Sequence, residues 1–354
     1  MRPDTALEHG GIPRATGTTL VQTLRLARWY FFTARRRLMG KVLFIILALG
    51  AILAFTLLIA AYEAIASNPP TAQRCFSAAE ATQIAAQGNT APPAGCVSIP
   101  PQELAAEQEQ WQATVNDQLA AVTFPTAIGR SIGYVSFMGI VLVCILAGAL
   151  VGTEFAAGTL RLTVSRGVTR GQVLAALVMT IALFATVMVL VCEAIFAAGS
   201  LTLGIMASGH ADGISAAGLI QLGKYTLGAI FWVLGFGLIA LFMAVLGRST
   251  AAGIAVSLGY LVAEIVVGGI LRGIGSAIGG HLGNFLTAVP DWFLGTNLSA
   301  VASYAGVGPL AFGASLSGVP AGLTFGRALI VSLLYCGLLI GLSYLVLRMR
   351  DVTD

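Results

Sequence analysis

The run "VLFIILALGAILAFTLLIAAY" occupies residues 42–62 and contains no charged residue. An α-helix of this length rises about 30 Å, which is the thickness of the hydrocarbon core of a bilayer. The run lacks the alternation of apolar and polar residues that is typical of a barrel strand, so only a helix satisfies its backbone inside lipid. It therefore predicts a membrane-spanning helix.

The composition of the whole chain agrees with this prediction. Of its 354 residues, 57% are hydrophobic and only 10% are charged, whereas a soluble domain has about 25% charged residues. Five more apolar runs of about 20 residues follow the first, at 132–151, 173–198, 225–246, 251–271 and 328–347. The sequence predicts an all-α integral membrane protein with six transmembrane helices.

The apolar runs divide the chain into segments, with both termini predicted to be cytoplasmic. On that orientation the cytoplasmic segments carry fourteen Lys and Arg residues and the external segments five, as the positive-inside rule requires. The first run follows forty residues rich in arginine and no small-residue cleavage site comes after it, so we expect a retained span. The predicted segments are a disordered N-terminus 1–17, an interfacial helix 18–41, span 1 at 42–62, an external subdomain 63–130, span 2 at 131–153, a cytoplasmic loop 154–171, span 3 at 172–200, an external loop 201–224, span 4 at 225–246, a cytoplasmic turn 247–250, span 5 at 251–271, an external segment 272–326, span 6 at 327–347 and a tail 348–354.

The segment before span 1 has the pattern of a basic amphipathic helix. Leu20, Leu24, Ala27, Phe31 and Leu38 fall near one helical face, with arginines largely on the others. We expect the aromatic residues to lie among the lipid headgroups, namely Trp29, Tyr30, Phe31 and Phe32. The helix either only anchors the chain to anionic lipid or also contacts a cytoplasmic partner.

Two of the external segments have distinctive composition. The first, 63–130, is rich in proline and ends in a run with helical spacing, so a helix is predicted there. It also holds Cys75 and Cys96, for which either a disulfide or two free thiols fits an oxidising location. The last external segment, 272–326, is too apolar for a free loop and too often interrupted by Gly and Pro for a straight span, which favours re-entrant or interfacial helices.

Several kinds of chemistry are missing from the sequence. No phosphate-binding loop of the Gly-x-x-x-x-Gly-Lys-[Ser/Thr] type occurs, and there is no His-Glu-x-x-His motif among only three histidines. We therefore expect no metal site, no cofactor on this chain, no enzymatic activity and no nucleic-acid partner.

Two acidic residues lie within apolar runs. Glu264 falls about 20 Å along span 5, inside the hydrocarbon. A buried acid there predicts a transport or gating role, a structural hydrogen bond or a neutral, protonated acid. Glu193 falls about 30 Å along span 3 and is expected to be an interfacial residue.

The polar run "TEFAAGTLRLTVSRGVTRGQ" at 153–172 joins spans 2 and 3 and is longer than a turn requires. Gly158 predicts a break, Thr159 a helix N-cap and Gly167 the end of a short helix, after which Thr169 can cap span 3. The result would be a short helix across the cytoplasmic mouth of a helical hairpin. Without further information, a positive-inside anchor fits the run equally well.

The pattern in this run resembles the cytoplasmic loop of type-2 ABC transporter permeases, which include bacterial multidrug, antibiotic and lipid exporters. The matching positions are Glu154, Gly158, Thr159, Leu160, Arg161, Ser165, Arg166 and Arg170. The layout of amphipathic helix, six spans and broken external segment is similar too. Gly167 stands where many relatives have proline, and the long loop after span 1 suggests a subgroup with an external feature of its own.

The resemblance implies a function for the chain. The short helix would be a coupling helix seated in a separate ATPase subunit, with Arg161 and Arg166 contacting that motor and Glu154 fixing the hinge at the end of span 2. Two ATPase subunits carrying ATP and Mg²⁺ would act with two permease subunits in a bacterial inner membrane to export an amphipathic drug, lipid or peptide. The alternatives are a proton-coupled secondary transporter using Glu264, or a sensor or immunity protein that binds its ligand through the external loop.

Overall fold

The structure, a computed structural model, describes residues 19–36, 38–76, 95–159, 163, 167–208, 216–304 and 323–349. Within these ranges six helices are long and apolar enough to cross a membrane, which confirms the predicted number of spans. They are span 1 (Leu38–Ala66), span 2 (Thr126–Ala156), span 3 (Arg170–Ser208), span 4 (Ala216–Gly247), span 5 (Thr250–Ile278) and span 6 (Phe325–Met349). The predicted N-terminal segment 1–17 lies outside the described residues.

Each helix is longer than the apolar run that predicted it. Span 1 was expected at 42–62 and extends over Leu38–Ala66, and span 3 was expected at 172–200 and extends over Arg170–Ser208. The reason is that hydropathy marks only the part of a helix that matches the hydrocarbon core, while the hydrogen-bonded backbone continues beyond it.

The six spans differ in how much of their surface the protein covers. Most residues in the most apolar windows of spans 2, 3 and 4 are buried, 78%, 56% and 67% respectively, whereas the figure is 22% or less in spans 1, 5 and 6. Spans 2, 3 and 4 therefore form the centre of the bundle. The other three lie around it and expose broad apolar faces, as helices in contact with lipid do.

The amphipathic helix is present as α1, Thr19–Arg36, and it packs against span 3. Its buried face holds Ala27, Tyr30 and Ala34, while Leu20 is 68% exposed. The expectation that Tyr30 lies among headgroups is wrong, because its side chain is only 1% exposed. Of the predicted apolar face, Ala27 is buried and the Phe31 ring packs 4.6 Å from the ring of Phe184 in span 3, measured between centroids. Leu20 and Leu24 of that face are exposed.

Spans 2 and 5 cross at two glycines of span 2, Gly148 and Gly152. A Cβ on Gly152 would lie 2.6 Å from the Thr250 Cα, and one on Gly148 would lie 2.9 Å from a side-chain carbon of Ile254. Small residues spaced four apart allow two helix backbones to approach this closely in a membrane. The crossing therefore depends on the absence of side chains at these positions.

Span 2 contains a π-helical turn at Val135–Gly139. The turn interrupts the regular hydrogen-bond pattern, and the indole of Trp232 in span 4 donates to the Ser136 carbonyl at 3.2 Å. Tyr134, one residue before the turn, donates to the Leu47 carbonyl of span 1 at 3.2 Å. One side chain from span 4 and one from span 2, which donates to the backbone of span 1, thus hold this irregular turn in the bundle.

The region after span 1 combines two strands with a helix. Strands β1 (Gln73–Phe76) and β2 (Gly95–Ser98) pair antiparallel, with Cys75 opposite Cys96. Cys96 is disulfide-bonded, whereas Cys144, Cys192 and Cys336 are free. The predicted helix is present as α2, Pro101–Val122, while the strands were not predicted because each has only four residues.

The segment between spans 5 and 6 contains the short helices that its composition predicted. These are α3 (Gly280–Ala288), a 3₁₀ turn (Val289–Trp292) and α4 (Leu294–Tyr304). Helix α4 packs against spans 4 and 6, and its first nine residues are buried. It is therefore part of the bundle's interior, and the way its ends are satisfied matters for stability.

The glycine crossing makes a testable prediction. Gly152→Ala should lower the free energy of unfolding by about 1–3 kcal/mol, because the added methyl group overlaps Thr250. The measurement is thermal or denaturant unfolding in mild detergent. The matched control is Gly269→Ala in span 5, where no atom lies within 4 Å of an added Cβ. Equal effects at the two positions would contradict this account of the crossing.

Candidate functional site

The link between spans 2 and 3 holds most of the residues singled out in the sequence. The structure describes Glu154, Gly158, Thr159 and Arg170 of that set, together with Thr163 and Gly167. Leu160, Arg161, Ser165 and Arg166 lie outside the described residues. The structure therefore describes the two ends of the link, and the short helix between them stays a prediction.

Both ends turn at a glycine with a left-handed backbone. Gly158 has φ +64° and Gly167 has φ +86°. Other residue types adopt this conformation at a cost, so glycine is favoured at each place. The predicted break after span 2 is present at Gly158. Gly167 was predicted to end a short helix, most of which lies outside the described residues.

The first end is held by the carboxylate of Glu154. This side chain is only 3% exposed, at the end of span 2, and the Thr159 hydroxyl donates to its Oε2 at 2.5 Å. The hydrogen bond crosses Gly158 and so fixes the direction in which the chain leaves the span. The prediction that Thr159 caps a short helix involves N–H groups that lie outside the described residues, so it stays a prediction. Thr163 in turn donates to the Thr159 carbonyl at 2.9 Å.

Tyr30 of α1 lies in the electrostatic field of the same carboxylate. Burial, and secondarily the charge of Glu154, raise the pKa of the Tyr30 hydroxyl. The phenol is therefore protonated at physiological pH. Within the described part of the chain its oxygen has no hydrogen-bond partner. Sequence reasoning missed this residue, because nothing local distinguishes Tyr30 from the neighbouring aromatic residues.

The second end of the link is a capping box at the start of span 3. The backbone N–H of Gln172 donates to the Thr169 hydroxyl at 3.2 Å, and the N–H of Thr169 donates to the Gln172 side chain at 2.9 Å. This reciprocal pair satisfies two N–H groups that a helix start leaves free. The prediction that Thr169 caps span 3 is confirmed. The Gln172 amide also donates to Gln22 of α1 at 3.2 Å.

Arg170 connects the start of span 3 to the end of span 6. Its guanidinium donates to the carbonyl oxygens of Leu347 at 2.7 Å and Arg348 at 2.9 Å. The last carbonyls of a helix lack partners within the helix and carry partial negative charge, so a cation is favourable there. Arg170 therefore has a structural role within this chain, in addition to any contact with a partner.

Replacing Arg170 should separate these two helix ends. Arg170→Gln is expected to lower the free energy of unfolding by about 1–3 kcal/mol, because two carbonyls lose a charged donor. Arg28→Gln is the control, since it removes one positive charge from an exposed position on α1. The measurement is the midpoint of thermal unfolding of both variants, compared in the same detergent. A shift no larger than that of the control would show that the contact contributes little.

A second group of polar contacts lies where α4 meets span 5. The Glu264 carboxylate accepts hydrogen bonds from the backbone N–H groups of Gly295 at 3.0 Å and Thr296 at 2.6 Å. One turn earlier on span 5, the hydroxyl of Tyr260 accepts from the N–H of Leu294 at 3.2 Å. Two side chains of one helix thus cap the N-terminus of another, where an acidic group is also favoured by the helix dipole.

The close contact at this cap also requires a glycine. A Cβ on Gly295 would lie 2.7 Å from Oε1 of Glu264. Glu264 was expected to have either a gating role or a structural hydrogen bond, and these contacts give it the structural one. A gating role stays a prediction.

Glu193, the other acidic residue within a span, is buried between spans 3 and 4. Its side chain is 7% exposed and accepts from the Thr226 hydroxyl at 2.9 Å. The expectation that Glu193 lies near the outer membrane interface concerns its depth along span 3 and stays a prediction. The direction of the side chain, which sequence position alone does not give, places it against span 4.

Loss of the Glu264 carboxylate should destabilise the bundle. Glu264→Ala leaves the N–H groups of Gly295 and Thr296 without their acceptor in a buried place, and an unsatisfied buried group costs about 1–3 kcal/mol. We expect a lower midpoint of thermal unfolding, with Glu264→Gln intermediate because its amide oxygen still accepts. Glu103→Gln on the exposed face of α2 is the control. An unchanged midpoint for Glu264→Ala would refute the capping role.

Among the described residues, no group of three or more His, Cys, Asp or Glu side chains could hold a metal ion. The polar contacts described above join helix ends, and none of them resembles a ligand set for a metal.

The six apolar helices and their packing indicate a multi-pass helical membrane protein. Residues 113–353 match a family model described as "Protein of unknown function (DUF2705)", and the chain belongs to that family. The match covers spans 2 to 6 and begins within α2. No curated protein and no solved structure matches the chain. The family description names no activity, so the function is argued from the residues.

Proposed function

We propose that this chain is the membrane-spanning permease subunit of an ATP-driven exporter of the type-2 ABC transporter class. The observation that carries the proposal is the construction of the link between spans 2 and 3. Its sequence resembles the coupling loop of that class, and each of its ends is held by side chains next to a glycine turn. A loop that only reversed the chain direction would need neither the glycine turns nor the side-chain hydrogen bonds beside them.

The positions of the two anchors suit transmission of force. Glu154 fixes the end of span 2, and Thr169 with Arg170 fixes the start of span 3 and the end of span 6. Spans 2 and 3 also belong to the buried centre of the bundle. A partner that displaced the link would therefore act on helices that contact most of the others.

The proposal includes partners and an orientation. Two ATPase subunits would supply ATP and Mg²⁺, and a second permease, identical or homologous, would complete the pathway for an amphipathic drug, lipid or peptide. Both termini and the link would face the cytoplasm of a bacterial cell, where the ATPases are. Arg161 and Arg166 would pair with acidic groups of the motor.

The two alternatives are weaker for different reasons. A proton-coupled transporter would use Glu264, but that carboxylate already accepts two backbone hydrogen bonds at the start of α4. A sensor that binds its ligand through residues 63–130 would not need an anchored link at the other end of the bundle.

The proposal predicts the outcome of a charge reversal. Arg161→Glu with Arg166→Glu should abolish transport and release an ATPase that otherwise co-purifies with the chain in mild detergent, because attraction to acidic groups becomes repulsion. The measurement is mass identification of co-purified proteins, with size-exclusion chromatography to check that the permease stays folded. Arg348→Glu is the control, since it reverses an exposed charge at the same end of the bundle.

Two results would contradict the proposal. One is wild-type chain that binds no ATPase under conditions in which it is monodisperse. The other is transport that continues after ATP depletion and follows a pH gradient, which would favour the proton-coupled alternative.

A further inference from the structure

A cavity of about 590 Å³ lies between spans 4 and 6 and the C-terminal end of α4. This volume is within the range of sites for small molecules, about 300–1,000 Å³. Span 6 begins at this end of the bundle, and its last turn binds Arg170 at the opposite end. The cavity is therefore far from the link between spans 2 and 3, and it is independent of the proposed function.

The walls of the cavity are apolar. Leu227 and Phe231 line it from span 4, Val301 from α4, and Phe325 and Leu329 from span 6. The Tyr304 hydroxyl, which is also at the wall, donates to the Leu323 carbonyl at 2.6 Å and is thereby satisfied. Its ring packs edge-on against Phe325 at 5.9 Å between centroids. An occupant would meet hydrocarbon surface over most of the cavity.

One cation lies at the edge of this apolar surface. Lys224 lines the cavity one turn before Leu227 and Gly228, and its side chain makes no hydrogen bond or ion pair within the part of the chain that the structure describes. Two other basic residues at this end are engaged: Arg272 pairs with Asp291 at 3.5 Å, and Arg327 lies over the Trp292 ring at 4.6 Å. The ammonium group of Lys224 is thus available to an anion.

The depth of the cavity matches an amphiphile in a bilayer. Phe231 comes seven residues after Lys224, about 10 Å further along the helix. Lys224 precedes the apolar part of span 4, so its charge falls near the headgroups and the cavity extends from there towards the hydrocarbon. Leu227 is 69% exposed and Phe325 is 46% exposed, so the cavity opens on the outer surface of the bundle, where lipid lies.

We propose that this cavity is a binding site for an anionic membrane phospholipid, with its phosphate at Lys224 and an acyl chain against the apolar walls. Charge complementarity favours an anionic headgroup, because the described lining residues include the unpaired cation of Lys224 and no acidic side chain. The opening towards the bilayer selects a lipid over a water-soluble anion.

The test measures lipid binding to the purified full chain by native mass spectrometry. Dioleoylphosphatidylglycerol and dioleoylphosphatidylcholine have the same acyl chains and differ in net charge. We expect one tightly bound phosphatidylglycerol and weaker binding of phosphatidylcholine. Lys224→Gln should reduce the affinity for phosphatidylglycerol roughly fivefold, the usual contribution of one basic residue at a lipid surface.

Two further variants separate charge at the site from other effects. Arg130→Gln removes an exposed positive charge at the same end of the bundle, outside the cavity, and should leave the preference for phosphatidylglycerol unchanged. Leu227→Trp narrows the opening of the cavity and should lower the affinity for both lipids equally.

The proposal is overturned if Lys224→Gln and Arg130→Gln lower the affinity equally, or if the wild-type chain binds both lipids equally well. It is also overturned if Leu227→Cys forms a disulfide between two copies of the chain in native membranes, because a second copy would then cover the cavity.

Discussion

Every backbone N–H and C=O group inside a bilayer needs a partner within the protein, because lipid supplies none. Within a helix this condition is met automatically, and the six long helices satisfy it over most of their length. It is not met where a helix ends or changes its hydrogen-bond pattern inside the bundle. The described structure is organised around the side chains that supply the missing partners at those places.

Five side chains supply such missing partners in the same way. Glu264 and Tyr260 accept from the start of α4, and Arg170 donates to the end of span 6. Trp232 donates to the carbonyl at the π-helical turn, and the Trp111 indole donates to the Ile65 carbonyl at the end of span 1 at 2.9 Å. In each case a polar group on one element completes the backbone of another. The spans are therefore joined by specific hydrogen bonds as well as by packing.

The sequence predicted the features whose cause is local. An apolar run of 20 residues determines a span by itself, and Thr169 with Gln172 forms a cap from residues three apart. Contacts with residues that are distant in sequence could not be predicted. They include the burial of Tyr30 against span 3, the contact between Glu193 and Thr226, and the capping of α4 by Glu264. Hydropathy gave the position of these residues along a helix, but the direction of each side chain follows from how the helices pack. The link between spans 2 and 3 shows both cases. Its glycine positions could be predicted from neighbouring residues, whereas the acceptors of Arg170 lie at the distant end of span 6 and could not.

The contact of Arg170 with Leu347 and Arg348 joins positions up to 178 residues apart. During synthesis, span 3 enters the membrane before spans 4, 5 and 6 have been made. The guanidinium of Arg170 can therefore reach these two carbonyls only after three more helices have been inserted. Completion of the last helix then brings its carbonyls to the arginine. A chain that ended before span 6 would lack the carbonyls of Leu347 and Arg348 that Arg170 contacts. The hydrogen bonds that hold these two helix ends together thus form only once the last helix is complete.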